Sequence, residues 1–275
     1  MHETDWTLAS AEGIEVYGTR WAPDRPPRAV VQILHGWAEH RRRYRRLAGE
    51  LCDAGYVVWA DDHLGHGETG ARSGGLGDLG ARGMEGVVAA ALEVTSRLGQ
   101  EDPGLELCLL GHSWGSFLAQ RIVREWGERY DALVLTGTTR RRPGETRGAA
   151  GASSGRYDWL SRDPAEVAAY EADPWCGFER LTVRPPDPRR SYLEEGTDET
   201  VPSSLPVLIL NGTDDPVGGE EGGRRLADAY LAAGLADVTL VAYPGARHEV
   251  FNETNRAEVT ADLRAWLASH LGAAR

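Results

Sequence analysis

Lysine is missing altogether: all 30 basic residues of this 275-residue chain are arginine. Schiff-base chemistry needs an amine that can lose its proton, so it is excluded, and so are phosphate-binding loops built around a lysine. The bias is the imprint of GC-rich coding and points to a bacterial source. Cysteine is scarce as well. Cys52, Cys108 and Cys176 are odd in number and lack metal or redox spacing, and two of them lie in apolar runs where a buried thiol packs as a small hydrophobe. Positive charge is in deficit. A net charge of −12 and a pI near 5.2 repel phosphate backbones and anionic membrane surfaces, which argues against nucleic acid as a partner. No run of about 18 apolar residues occurs, so stable membrane insertion is not expected. The start, Met1-His2-Glu3-Thr4-Asp5-Trp6, has neither a basic n-region nor an apolar h-region, and the expected location is cytoplasmic.

What is present begins with Leu107-Cys108-Leu109-Leu110-Gly111-His112-Ser113-Trp114-Gly115-Ser116, an apolar strand running into Gly-x-Ser-x-Gly and then into the helix-forming Phe117 to Val123. A serine hydroxyl is a poor nucleophile at neutral pH. It must stand on a sharp strand-to-helix turn where a base can reach it and backbone N–H groups can receive an oxyanion. The glycines at 111 and 115 let strand and helix approach closely enough for that turn, and Trp114 offers its backbone N–H.

The surrounding chain alternates strand and helix signals as a doubly wound parallel sheet requires, and its length suits one large α/β domain. Residues 6–9 and 14–21 read as a hairpin. Short apolar runs at 29–34, 55–60, 105–110, 132–135, 206–210 and 238–242 read as buried strands. Residues 44–54, 83–98, 116–128, 222–233 and 258–271 carry apolar side chains at three-to-four spacing and fit the crossovers. From 138 to 204 the alternation stops. A structureless loop of that length is improbable inside a compact domain, so a small helical cap is expected there, between core segments 1–137 and 205–275, with helical signals at 157–160 and 164–170. The arginine-rich run 139–154 is expected to be mobile.

In such a sheet the chemistry collects at the carboxyl ends of the strands. A nucleophile at Ser113 calls for an acid after a later strand and a base after the last. Asn211-Gly212-Thr213-Asp214-Asp215-Pro216 follows one strand and Gly245-Ala246-Arg247-His248-Glu249 the other. Of the eight histidines only His248 and His270 come after the acid, and His270 stands near the end of a terminal helix, where a solvated residue is expected. That leaves His248 as base. Either Asp214 or Asp215 could hold its imidazole. A second oxyanion donor should come from the loop after residue 34, His35-Gly36-Trp37-Ala38-Glu39-His40, and Trp37 fits the place. Asp61-Asp62-His63-Leu64-Gly65-His66 has the look of a metal cluster, but its ligands lie in one short loop with no distant partner, so a structural loop is expected and no metal. Arg41 to Arg46 reads as a solvated helix start rather than an anion patch.

These motifs resemble the monoglyceride lipase branch of the α/β-hydrolases, related to lysophospholipases and often grouped with serine aminopeptidases. The likeness spans nearly the whole chain. It rests on His35-Gly36-x-x-Glu39-His40 with Arg43-Tyr44, Asp62-x-x-Gly65-His66-Gly67, Gly111-His112-Ser113-x-Gly115, Gly212-x-x-Asp215-x-Val217, and His248-Glu249 before Asn252-Glu253, with Ser161-Arg162, Glu166-Val167, Tyr170 and Asp173-Pro174 in the cap. The resemblance implies an α/β-hydrolase fold with an inserted cap and a triad of Ser113, Asp215 and His248. It further implies oxyanion donors at Trp37 and Trp114, a small-molecule ester substrate reached by transient lipid contact through the cap, and no cofactor. Where such enzymes usually carry aliphatic residues this chain has Trp37 and Trp114, and Trp175 follows the cap's Asp173-Pro174. Trp175 and Tyr170 are accordingly expected at the substrate, in a pocket suited to short, aromatic or branched acyl groups. Acyl transfer to another acceptor, a biosynthetic reaction on a secondary metabolite, or a non-catalytic receptor on the same fold are the rival classes.

Overall fold

The apolar runs assemble into one eight-stranded sheet in the computed structural model, which describes residues 1–140, 155–178 and 197–272. The strands are β1 (His2–Ala9), β2 (Glu15–Ala22), β3 (Ala29–Leu34), β4 (Tyr56–Asp61), β5 (Glu106–His112), β6 (Ala132–Thr136), β7 (Val207–Gly212) and β8 (Val238–Tyr243). They lie in the order β1-β2-β4-β3-β5-β6-β7-β8. The hairpin β1–β2 is antiparallel and joins β4 antiparallel; every later pairing is parallel.

A strand covered on both faces must be apolar at every position, and alternate side chains then enter two different cores. Val57 and Trp59 of β4, Leu107 and Leu109 of β5, Leu133 and Leu135 of β6, and Val207 and Ile209 of β7 enter one core. Helices α3 (Met84–Glu101), α4 (Trp114–Trp126) and α6 (Gly219–Ala232) cover it through residues such as Val94, Leu118 and Leu226. Val58, Cys108, Leu110, Val134, Leu208 and Leu210 enter the other, under α1 (Arg45–Ala54) and α7 (Arg256–His270). Cys52 and Cys108 are buried there as packing residues.

Helix α2 (Gly67–Arg72), just past the loop read at 61–66 in a stretch given no element from the sequence, is an addition. A six-residue helix with two glycines carries no apolar periodicity to announce it. Helix α4 begins at Trp114 and α6 at Gly219, two and three residues before the expected starts, because glycine and serine hide a first turn that tertiary packing enforces.

Between β6 and β7 the described residues contain α5 (Pro164–Ala172), with Asp163 as N-cap accepting from Ala165 N at 3.0 Å and proline at the first turn. Residues 157–160 form a turn, closed by Leu160 N to Tyr157 O, rather than a helix. Most of the arginine-rich run 139–154 lies outside the described residues. The inserted segment is bound to the sheet's carboxyl end at several points. Ser161 Oγ donates to Asn252 O at 2.7 Å, Arg162 Nε pairs with Glu253 at 2.8 Å, and Glu249 N donates to Leu160 O at 2.8 Å.

Candidate active site

Strand β5 ends at His112 and α4 starts at Trp114, so Ser113 alone makes the turn. Its φ of 52° and ψ of −119° lie where L-residues are strained, and the strain is held by a hydrogen bond from Ser113 N to Thr136 O at 2.9 Å. Gly115 makes the turn sterically possible. A Cβ there would stand 2.1 Å from Leu34 O, so only glycine lets α4 lie against the end of β3.

After β7 the loop 213–218 directs its two aspartates apart. Asp214 is exposed, and among the described residues its carboxylate accepts only from the neighbouring Thr213 hydroxyl at 3.2 Å. Asp215 turns inward: Oδ1 accepts from Val217 N at 2.8 Å and from His248 Nδ1 at 2.9 Å. The alternative that the residues left open is thereby decided by geometry. A carboxylate only accepts, so Nδ1 carries the imidazole proton and Nε2 presents its lone pair to Ser113 Oγ, 2.7 Å away. The imidazole is 2% exposed. His248 N donates to Trp159 O at 3.3 Å and the Trp159 ring lies 4.9 Å from the imidazole, so the inserted segment helps enclose it.

The loop after β3 faces the same spot. Gly36 lies against the serine, since a Cβ there would be 3.2 Å from Ser113 Cβ. Trp114 is the first residue of α4, so its N–H has no acceptor within the helix. Ala38 holds a φ of 58°, and its carbonyl accepts from both Tyr170 Oη at 2.8 Å and Gly177 N at 3.0 Å. Tyr170 is buried and its hydroxyl is committed to that carbonyl. The Trp175 ring stands edge-on to His40 at 5.4 Å, beneath the Arg42 guanidinium.

The arginine run is a solvated helix start only in part: Arg42 and Arg45 are exposed, while Arg41 and Arg43 turn inward. Arg41 is 1% exposed and pairs with Asp62 and with Glu68. Arg43 bridges Glu39 at 2.7 Å and clamps both oxygens of Glu249 at 2.6 and 2.7 Å. Glu39 also accepts from Tyr44 Oη at 2.7 Å and from Gly36 N. Three charges thus tie the loop of Trp37 to the loop of His248. Burial alone would push the Glu249 carboxyl up, but Arg43 overrides it and holds it at about 2. Composition could not reveal this, because a run of arginines looks alike whether its acids are solvent-borne or brought in by distant loops.

The Asp61 to His66 loop is packed beside the site. Asp62 accepts from Arg41 N at 2.8 Å and Glu68 N at 2.7 Å, His63 pairs with Asp61 at 2.9 Å, and the His35 and His63 rings stack at 4.0 Å. Burial keeps His66 neutral, with its pKa down at about 3, and its ring stacks on Trp114 at 4.9 Å. Trp37 meets Trp114 edge-on at 5.1 Å, and Phe178 lies 5.8 Å from Trp37 and 5.1 Å from His66. Phe178 was not singled out in the sequence; the nearby aromatics and cap motif were its only signal.

A mostly parallel sheet with a strained serine turn at the end of its fifth strand, facing a histidine and an aspartate from later strand ends, defines an α/β-hydrolase. The model of the family described as serine aminopeptidase, S33, matches residues 25–255, and the chain belongs to that family. It is 30% identical to a monoacylglycerol lipase of Mycolicibacterium smegmatis, covering 98% of each chain. It is 27% identical to human monoglyceride lipase, covering 90% of this chain and 84% of that one. Among solved structures it is similar to a thermostable carboxyl esterase from Bacillus coagulans in complex with glycerol, with a TM-score of 0.85, 29% identity, and 98% and 99% of the two chains covered.

Proposed function

We propose that this hydrolase is a carboxylester hydrolase of the monoacylglycerol-lipase and lysophospholipase kind, cytoplasmic, reaching small ester substrates by transient lipid contact through a cap formed by residues 138–204. The observation that carries the reading is the continuous line from Asp215 through His248 to Ser113 Oγ, with both hydrogen bonds under 3 Å. The Ser113 proton passes to His248 Nε2 as Oγ attacks the ester carbonyl. The N–H groups of Trp37 and Trp114 receive the oxyanion, and the alcohol leaves with the proton from His248. Water then repeats the sequence on the acyl-serine. Asp215 keeps the imidazole in the tautomer that can accept. No step calls for a cofactor. No helix among the described residues is long and apolar enough to cross a membrane.

The Trp37, Trp114, His66 and Phe178 rings support a closed acyl side, favouring short, branched or aromatic acyl groups over long straight ones. Trp175 bounds the site beyond His40, while Tyr170 serves it by holding the Ala38 carbonyl. Hydrolysis of p-nitrophenyl esters from acetate to palmitate, beside 1- and 2-monoacylglycerols, tests both statements. Turnover falls by several orders of magnitude in Ser113→Ala, because the triad acts as a unit, and the optimum lies among the short esters. Activity retained in that variant would refute the nucleophile, and an optimum at palmitate would refute the closed pocket.

A further inference from the structure

Helix α5 ends at Ala172, and the next four residues, Asp173-Pro174-Trp175-Cys176, make a reverse turn. Cys176 N donates to Asp173 O at 3.0 Å, and Trp175 N donates to Asp173 Oδ1 at 2.9 Å. Oδ2 of the same carboxylate is thereby left for His40, whose Nε2 lies 2.9 Å away. Cys176 Sγ completes the group. One nitrogen, one carboxylate oxygen and one sulfur lie within 4.8 Å of one another, contributed by two loops more than a hundred residues apart in sequence.

The environment is that of a ligand site rather than a surface cluster. His40 is 3% exposed, and its Nδ1 has no hydrogen-bond partner among the described residues. Asp173 Oδ2 is the acceptor that holds the ring proton on Nε2, and a cation entering between the two would take its place. The Trp175 ring covers the imidazole edge-on. Asp173 is partly open to solvent, which provides an entry path.

We propose that His40 Nε2, Asp173 Oδ2 and Cys176 Sγ bind a zinc-class divalent cation, with a water molecule completing a tetrahedron. Imidazole, thiolate and carboxylate together suit zinc and its borderline neighbours, whereas magnesium and calcium require oxygen ligands throughout. On binding, the imidazole proton shifts from Nε2 to Nδ1 and the thiol proton leaves to solvent, so each cation releases one proton. The cation joins the turn after α5 to the loop of Trp37, beside the bonds that Tyr170 and Gly177 make to the Ala38 carbonyl. Its role is to fasten the inserted segment. Ester hydrolysis does not need it.

Cobalt(II) titration of the metal-free full-length protein, read by absorbance, tests the site. A thiolate-to-cobalt charge-transfer band in the near ultraviolet, with the strong visible bands of four-coordinate cobalt, is expected to saturate at one ion per chain and to bleach on addition of zinc. Cys176→Ser abolishes the charge-transfer band while keeping its circular dichroism and its p-nitrophenyl ester hydrolysis, and Asp173→Asn weakens cobalt binding at least tenfold. Zinc raises the Tm of the unaltered protein but not that of Cys176→Ser, because a ligand bound only to the folded state stabilises it. Absence of the charge-transfer band, its survival in Cys176→Ser, or a Tm unmoved by zinc would each overturn the proposal. The charge-transfer band, the cobalt affinity and the Tm do not depend on the ester-hydrolase reading.

Discussion

Arg43 shows how much a single buried side chain holds. Its guanidinium bridges two buried carboxylates from loops that meet only at the active site, and the adjoining cavity, about 10 Å³, has room for roughly one water molecule. Solvent therefore cannot replace it. Removing one partner of a buried ionic network costs about 3–5 kcal/mol, since the remaining charges lose their compensation. Arg43→Met is expected to lower stability by about that amount in urea unfolding near neutral pH, and to reduce ester turnover through the loosened His248 loop. Adding Glu249→Gln to Arg43→Met should recover part of the stability; no recovery would mean that the arginine acts by packing alone. At this scale the sequence was partly legible. Ser113, Asp215 and His248 were named from it and stand within hydrogen-bond reach of one another. The residues alone left Asp214 and Asp215 open and the resemblance favoured Asp215; the turn exposes the first and buries the second. The partners of Arg41 and Arg43 needed the fold, because Asp62, Glu68 and Glu249 come from segments farther along the chain.

Among elements, the contact of α4 with the end of β3 governs the serine turn. Gly115→Ala would set a Cβ against Leu34 O at 2.1 Å and His35 O at 2.5 Å, which are backbone atoms that cannot rotate away. The helix must shift, and Ser113 with it. The expected result is loss of ester turnover and a lower Tm. Gly99, exposed within α3, is the contrasting case: a Cβ there meets nothing within 4 Å. Gly99→Ala should stabilise the protein by about 0.5–1 kcal/mol with turnover unchanged. Thermal melts of the two variants side by side check both, and equal effects would remove the steric argument for Gly115. Strands were the most legible elements, because burial on both faces forces continuous apolar runs such as Ala29 to Leu34. Helices that begin on glycine or serine were the least legible, since packing rather than propensity starts them.

For the whole molecule, the buried imidazoles set the response to acid. Burial pulls His35 well below its ordinary value, His66 to about 3 and His112 to about 4, the last aided by the neighbouring His248. An unfolded chain protonates these rings near pH 6.5, while the folded chain refuses the protons. Stability is therefore flat above pH 7 and falls as pH drops through 6 toward 4, by up to about 1.4 kcal/mol per pH unit for each ring. Glu249 acts in a lower window: with its carboxyl held at about 2, its contribution is present above pH 4.5 and is lost as pH falls toward 2. Urea midpoints at pH 7.5, 6.5 and 5.5 should show the earlier loss, and a midpoint constant down to pH 5.5 would contradict it.

The two donors that meet on the Ala38 carbonyl also make the enzyme's heat tolerance a matter of its attachment rather than its core. Releasing residues 155–178 breaks hydrogen bonds at Ala38, Leu160, Trp159 and Ser161 and the ion pairs of Arg162 with Glu253 and of Asp163 with Arg256, all at the rim, whereas melting the sheet exposes two apolar cores. The first opening is the cheaper. It unclasps the loop of Trp37 and uncovers His248 while the eight strands stay paired, so on warming the protein falls silent before it unfolds and recovers its voice on cooling.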